Sequence, residues 1–417
     1  MKLGYKHTTI ATYISIAVQA VINNLPPLLY VTFSKELNIS LVAISALISV
    51  NFMIQLSMDL LATFFIDRLG YKRSIIIANS CAGVGLICLG TLPQIMSAKF
   101  IAILISTVIM GIGGGLMEVV ASPIIESTPS SNKEGAMSLF HSYYCWGHAG
   151  IIIISTLFFI LAGIDKWYIL PLVWGIAPLA NAVYFSFVPV NSLESEGGFS
   201  AIRSLFTKKK FWAMMLIMLS AGASELAIAE WASLFAEMGL GISKSLGDIL
   251  GPCAFAICMG IGRVLFGKFS ERMKLEKWLM FSFLLCVASY LLTSLSPNPY
   301  LSLVGCMLTG LSVAIMWPGT YSLGASHLPH GGTAMFAFFA LAGDLGCTLG
   351  PLVIGSVSDY VIGGGKIFTG LFAGDAATVG LKSGIFVTTL FPLVAVFATL
   401  YLFLKSRKKK DISGNRL

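Results

Sequence analysis

Charge is scarce in this sequence. Of 417 residues, 11% are Asp, Glu, Lys or Arg and 56% are hydrophobic. Soluble domains carry roughly a quarter charged residues. A chain this apolar cannot keep its surface wet, so lipid is the expected solvent for most of it. Paired cysteine motifs are missing too. Cys81, Cys88, Cys145, Cys253, Cys258, Cys286, Cys306 and Cys347 all fall within apolar runs, and none forms C-x-x-C. That excludes a disulfide framework or a zinc site of the usual spacing. No H-E-x-x-H, G-x-S-G or G-x₄-G-K-[ST] occurs; the "GGGK" at 363–366 is followed by Ile367. An enzyme would lack its recognisable nucleophile or metal site, and no cofactor or metal is expected. A cleavable leader is not expected either. Lys2 and Lys6 precede an apolar run, but it is too long for one and lacks a small-residue cleavage site.

What the chain does have is apolar runs of about 20 residues, the length that crosses a bilayer core. Twelve recur, near 8–33, 41–66, 73–92, 98–124, 135–163, 167–188, 210–238, 247–270, 278–296, 299–326, 332–361 and 383–404. Each is predicted to be helical, because lipid offers the backbone no hydrogen bonds. The formal net charge of +8 invites a nucleic-acid reading, but its distribution opposes one. If the N-terminus is cytoplasmic, 20 of the 27 Lys and Arg fall in inner loops and tails. The outer loops hold Lys35, Lys99, Lys166, Lys244, Lys366 and Lys382, and Arg263 alone falls inside a span. This is the positive-inside pattern, with both termini cytoplasmic.

The long polar interruption at 189–209 separates two sets of six spans. The expected domains are an N-terminal six-helix bundle, 1–188, a cytoplasmic linker, 189–209, and a C-terminal bundle with a basic tail, 210–417. The halves echo each other. "FIDRLGYKR" follows span 2 and "KFSERMKLEK" follows span 8; "GIGGGLMEVVASP" in span 4 faces "GLSVAIMWPGTYS" in span 10; "GAMSLF" opens span 5 and "GTAMFAFF" opens span 11. A repeat that is weak in identity but steady in spacing points to duplicated bundles.

These features together resemble the major facilitator superfamily over essentially the whole chain. The most specific token is the loop after span 2. Asp67-Arg68-Leu69-Gly70-Tyr71-Lys72-Arg73 matches the family's D-R-x-G-R-K, with Thr63 where a glycine usually stands. The second-half copy keeps Gly267, with Glu271-Arg272 for Asp-Arg. The resemblance implies a gate role for Asp67, Arg68, Lys72, Arg73, Glu271 and Arg272; the plainer reading is a topology signal. Within the superfamily the chain looks most like the fucose-permease-like branch of proton-linked sugar symporters. Gly113, Glu118, Val120, Ser122 and Pro123 occupy the places of that branch's span-4 pattern, and Leu139, Gly147 and Gly150 those of its span-5 pattern. The branch has an acid before an Asn-Pro in span 1; here Ile22-Asn23-Asn24-Leu25-Pro26 has none. The implied fold is an all-α membrane protein, twelve transmembrane helices in two pseudo-symmetric six-helix bundles. The implied setting is the bacterial cytoplasmic membrane.

A transporter needs polar groups in a central cavity and, if ion-driven, a titratable group. Glu118, just beyond the glycines of span 4, stands where the branch's proton-linked acid stands. A carboxylate in an apolar setting can load and release a proton near neutral pH. The alternative is a structural acid bonded to a neighbouring helix. Ser15, Gln19 and Asn23 in span 1, and Asn51, Gln55, Asp59 and Thr63 in span 2, step by four and form polar stripes. They read as cavity lining or as interhelical glue. His141 and His148, with Tyr144 between them, read as candidates for substrate contact and proton transfer, or as hydrogen-bonding residues. Glu230-Trp231 in span 7 is an acid beside an aromatic, suited to a sugar or to a cation. Glu225 lies on another face of the same span. Arg263 needs an acid or an anionic ligand, and Glu225 and Asp344 are the candidates in its half.

The expected function is secondary active transport of a small polar, sugar-like solute by alternating access, coupled to protons, with sodium as the alternative ion. Glu118, His148 and Glu230 are the proton-coupling candidates. Gln19, Asn23, Asn51, Gln55, His141, Tyr144, Glu225, Trp231 and Asp344 are the substrate candidates, and Arg263 a structural pair. The alternative is a proton-coupled drug or metabolite exporter; the absence of Pro from span 5 leans against drug efflux. The expected partners are substrate, protons and lipid, without nucleic acid, and the expected state is a monomer.

Overall fold

The computed structural model describes residues 3–39, 41–193, 203–242, 246–247, 249–365 and 370–414. Part of the expected linker, 194–202, lies outside the described residues. The first helices are α1 (Tyr5–Glu36), α2 (Leu41–Leu69), α3 (Tyr71–Ile95), α4 (Lys99–Ser127), α5 (Lys133–Ala162) and α6 (Ile169–Phe187). There follow α7 (Lys209–Leu234), α8 (Ala254–Phe269), α9 (Leu275–Leu295), α10 (Pro299–Val313), α11 (Met316–His327), α12 (Gly332–Ile362), α13 (Ala376–Thr388) and α14 (Leu390–Gly414). Among the described residues, ten segments from Tyr71 to Lys405 are long and apolar enough to cross a membrane. The 32-residue α1 and 29-residue α2 precede them.

The protein divides into two compact units. The first holds Met1–Ser131, Tyr143–Arg203 and Pro329–Ala340; the second holds Asn132–Ser142, Ser204–Leu328 and Leu341–Leu417. Thus the opening turns of α5 belong to the second unit and those of α12 to the first.

In the first unit, α4 packs against α1, α2 and α3. A methyl group at Gly115 would come 2.9 Å from the backbone of Gln55, so α4 and α2 touch almost backbone to backbone. The core ends in apolar packing, with Phe33 edge-on to Trp167 at 5.3 Å. The beginning of the linker is tied down here: Ser127 Oγ donates to Asn191 O at 3.1 Å, and Tyr5 Oη to Asn191 Oδ1 at 2.8 Å.

In the second unit, two expected spans need correction. Span 10, read as one helix, is two. Pro318 has no N–H to give to Ala314 O, and the helix breaks at Ala314–Ile315. Its start is well specified: Pro299 sits at the first position, and Asn298 Oδ1 accepts from Tyr300 N and Leu301 N. The last span begins at Ala376, seven residues before the expected 383, capped by Asp375 accepting from Thr378 N at 2.8 Å. Lys382 therefore lies inside it and not in an outer loop. It is 6% exposed, and Nζ donates to Ser296 O at 2.7 Å. A lysine is kept there because its head finds the free carbonyl at the end of α9.

Candidate functional site

Helices α1, α2 and α4 place the polar stripes of the first unit. Glu118, half-buried on α4, accepts from Gln19 Nε2 at 2.9 Å. One turn along, Gln55 Nε2 donates to Asn23 Oδ1 at 3.2 Å. Asn51 continues the row beside Gly111 of α4. A narrow cleft within this unit is lined by Asn23, Pro26, Asn51, Thr107 and apolar neighbours. The glycine face of α4 is what admits these amides, because a larger side chain at Gly111 or Gly114 would press on Asn51 or Gln55.

Ser15, on the same stripe, goes elsewhere. Asn79 Nδ2 donates to Ser15 Oγ at 2.9 Å, and Asn181 Nδ2 lies 3.0 Å from both Ser15 Oγ and Asn79 Oδ1. These three buried residues tie α1, α3 and α6 together. The sequence signal was a single amide in each of spans 3 and 6. Asp59 is buried on α2; the side chains of Thr63 and Asp67 lie outside those described. Tyr144 and His148 meet edge to face, with ring centroids 6.5 Å apart.

The loop motif acts through backbone contacts in this structure. Gly70, at φ +83°, makes the turn from α2 to α3 in one residue. Lys72 Nζ donates to Ser186 O at 2.9 Å and Val188 O at 3.0 Å, capping α6 at its negative end. Arg68 and Arg73 are exposed. In the second unit Glu271 and Arg272 lie exposed on the turn Ser270–Arg272, with the Arg272 guanidinium 4.4 Å from the Phe269 ring centre. Asn132 Nδ2 donates to Ser270 Oγ at 2.9 Å in the same unit.

Arg263 is the polar hub of the second unit. It is 3% exposed. Nε donates to Ala314 O at 3.0 Å, Nη1 to His141 O at 2.8 Å, and Nη2 lies 3.5 Å from Glu225 Oε2. The carbonyl that Pro318 leaves without its helical donor is thus the one that Arg263 supplies. Of the acids that the sequence offers Arg263, Glu225 stands at ion-pair distance. The His141 ring stacks on Tyr321 at 5.7 Å. The division between units falls at Ser142–Tyr143, so His141 and His148 belong to different units. Asp344 is half-buried on α12. Glu230 is exposed, while Trp231 packs near Gly355 of α12. Sequence reasoning missed Pro318 as the breaker of span 10, although "WPG" stood inside the run.

Long apolar helices that carry acids, an arginine and rows of amides within their spans are the pattern of a membrane transporter family. The family profile of the Major Facilitator Superfamily matches residues 10–351. The chain belongs to the major facilitator superfamily. It is therefore a multi-pass integral membrane protein of a transporter family, with the all-α fold of two pseudo-symmetric six-helix bundles. Solved structures agree. The chain is similar to a variant of the E. coli fucose:proton symporter FucP, at 17% identity and TM-score 0.77, covering 96% of this chain and 99% of that one. It is similar also to FucP in the outward conformation, at 17% identity and TM-score 0.78, covering 95% and 99%. A bacterial homologue of the human lysosomal transporter Spinster, in an inward-facing and unoccupied conformation, aligns at 15% identity and TM-score 0.61, with 97% of each chain covered. At these identities the likeness is one of fold. No curated protein matches the chain by sequence.

Proposed function

We propose that this superfamily member is a secondary active transporter that moves a small polar, sugar-like solute by alternating access in symport with protons. Glu118 is the proton-carrying group. The observation that carries this reading is a half-buried carboxyl that accepts from the neutral amide of Gln19, at the end of a row of amides. An amide hydrogen-bonds a carboxyl in either protonation state, so the acid can cycle without stranding its neighbour. The amides Asn23, Asn51 and Gln55 supply the donors and acceptors that hydroxyl-rich solutes need. Both termini are cytoplasmic in this reading, and the membrane is a bacterial cytoplasmic one. The fold likeness to a fucose:proton symporter supports the solute class.

The test has two parts. Glu118→Gln in proteoliposomes is expected to abolish proton-driven accumulation while sparing substrate exchange; full accumulation by the variant would sink the proton role. Thermal-shift screening of purified protein against sugars, polyols, nucleosides and lipophilic cations, with and without sodium, checks the solute. Stabilisation by the cations and by no sugar would replace this reading with that of an exporter.

A further inference from the structure

Only half of the Gln19 amide is used by the contact described above. Nε2 faces Glu118, and Gln19 is 3% exposed. Its other end, Oε1, is buried with no hydrogen-bond partner among the described residues. An orphaned buried acceptor costs about 1–3 kcal/mol, and such an exception calls for a reason.

The chemistry of the pair supplies one. An ionised carboxylate only accepts hydrogen bonds, so it holds the NH₂ end of the amide. A protonated carboxyl donates, and then the carbonyl end is the matching face. The terminal torsion of glutamine is broad and roughly two-fold, so the amide can turn end for end while the helices stay in place. Resting on the reading of Glu118 as the proton group, we infer that Gln19 is a positioning residue that transmits its protonation state. With Glu118 ionised, Gln19 turns its NH₂ end to the carboxylate and leaves Oε1 as an unused acceptor. With Glu118 protonated, Oε1 takes the carboxyl proton and the NH₂ end replaces it. The unused end of the amide is then a donor where it was an acceptor. The proton adds to a carboxylate oxygen of Glu118 and leaves from it; no other covalent bond changes.

Titratable side chains on the helices packed around this pair include His7 and Tyr13 on α1, Asp59 on α2, Cys81 and Cys88 on α3, Glu126 on α4, Tyr143, Tyr144 and His148 on α5, and Tyr184 on α6. His148 follows Gly147, which touches Ala17 and Ala20 on either side of Gln19. Asp59, buried on α2, and His148, beside Gly147, are an acid and an imidazole among them, and both are removed as controls.

The sequence has three glutamines, Gln19, Gln55 and Gln94, which makes direct observation practical. The full-length protein in detergent is labelled with glutamine carrying ¹⁵N and ¹³C in its terminal amide, and signals are assigned with Gln55→Met and Gln94→Met. The pH is varied without any solute, and the Glu118 carboxyl band is followed by infrared difference spectroscopy. The Gln19 NH₂ pair and its amide carbonyl band are expected to shift together, with the midpoint of the Glu118 band. Both shifts should vanish in Glu118→Gln and persist in Asp59→Asn and His148→Asn. A Glu118 band that titrates while Gln19 stays still overturns the Gln19 role and leaves the proton reading standing. An NH₂ shift without a carbonyl shift, or a loss of the shifts in Asp59→Asn or His148→Asn, overturns it equally. A Glu118 band that never titrates overturns both.

Discussion

Glu118 in the first unit meets a neutral amide, and Glu225 in the second meets a guanidinium. The two carboxyls sit inside spans of similar apolarity, yet their partners make them different devices. An amide has a face for either protonation state of an acid. A guanidinium has donors only, so it is matched to the anion alone. Arg263 is moreover committed to two backbone carbonyls, one of them exposed by Pro318. Under the proposed function, the first pair is the one to cycle and the second the one to hold. The halves differ here: α4 carries an acid that meets an amide of α1, while its counterpart in the second unit is broken at Ala314–Ile315 and held there by Arg263 of α8.

The strongest challenge to this contrast is Arg263→Met. It leaves Ala314 O and His141 O without their donor and Glu225 without its cation. Breaking a buried pair in this way costs roughly 3–5 kcal/mol, so poor recovery and a much lower melting temperature are expected by fluorescence-detected size exclusion. A variant as stable as the parent would reduce the hub to an accessory. A smaller loss should follow Asn181→Ala, which removes amide bonds but strands no charge. Intramembrane hydrogen bonds are worth about 1–2 kcal/mol at most, and pH dependence of transport should be unaffected. If Asn181→Ala matched Arg263→Met in cost, charge would not be what separates the two networks.

The smallest effect is expected at Asp375, where a carboxylate in water caps α13. Its bonds to Thr378 hold its carboxyl below the usual carboxylate range. A group with a lowered folded pKa adds stability above its unfolded value and loses it as pH falls through the folded one. Asp375→Ala should therefore be slightly less stable than the parent at neutral pH. That difference should fade in acid, as melting curves across pH would show. A difference that persisted in acid would mean that the cap acts without its charge.

How much of this is legible in the sequence depends on what fixes each feature. The spans are readable because lipid leaves the backbone one solution, and the paired halves because duplication preserves spacing. The last span reads as beginning too late because Lys382 looks polar in sequence. In the structure the Ser296 carbonyl shelters it. The four-residue steps of span 1 put Ser15, Gln19 and Asn23 on one drifting stripe, but they do not say that Ser15 turns to Asn79 and Asn181. Nor does spacing pair Gln19 with Glu118, which lie 99 positions apart. The match depends on how α1 leans on the glycine face of α4. Glu230 and Trp231 look like one platform in sequence, while in the structure the acid is exposed and the indole packs near Gly355.

The break at Pro318 also bears on how the protein enters the bilayer. Its two pieces, 15 and 12 residues long, reach about 22 Å and 18 Å at 1.5 Å per residue. Neither crosses a hydrocarbon core of about 30 Å alone. The donor to the carbonyl at the break is Arg263 of α8, and α8 is synthesised first. Ribosomal order delivers the donor before the acceptor. A circular permutant in which α10 and α11 emerge ahead of α8 would present the insertion machinery with two half-length helices and a bare carbonyl between them.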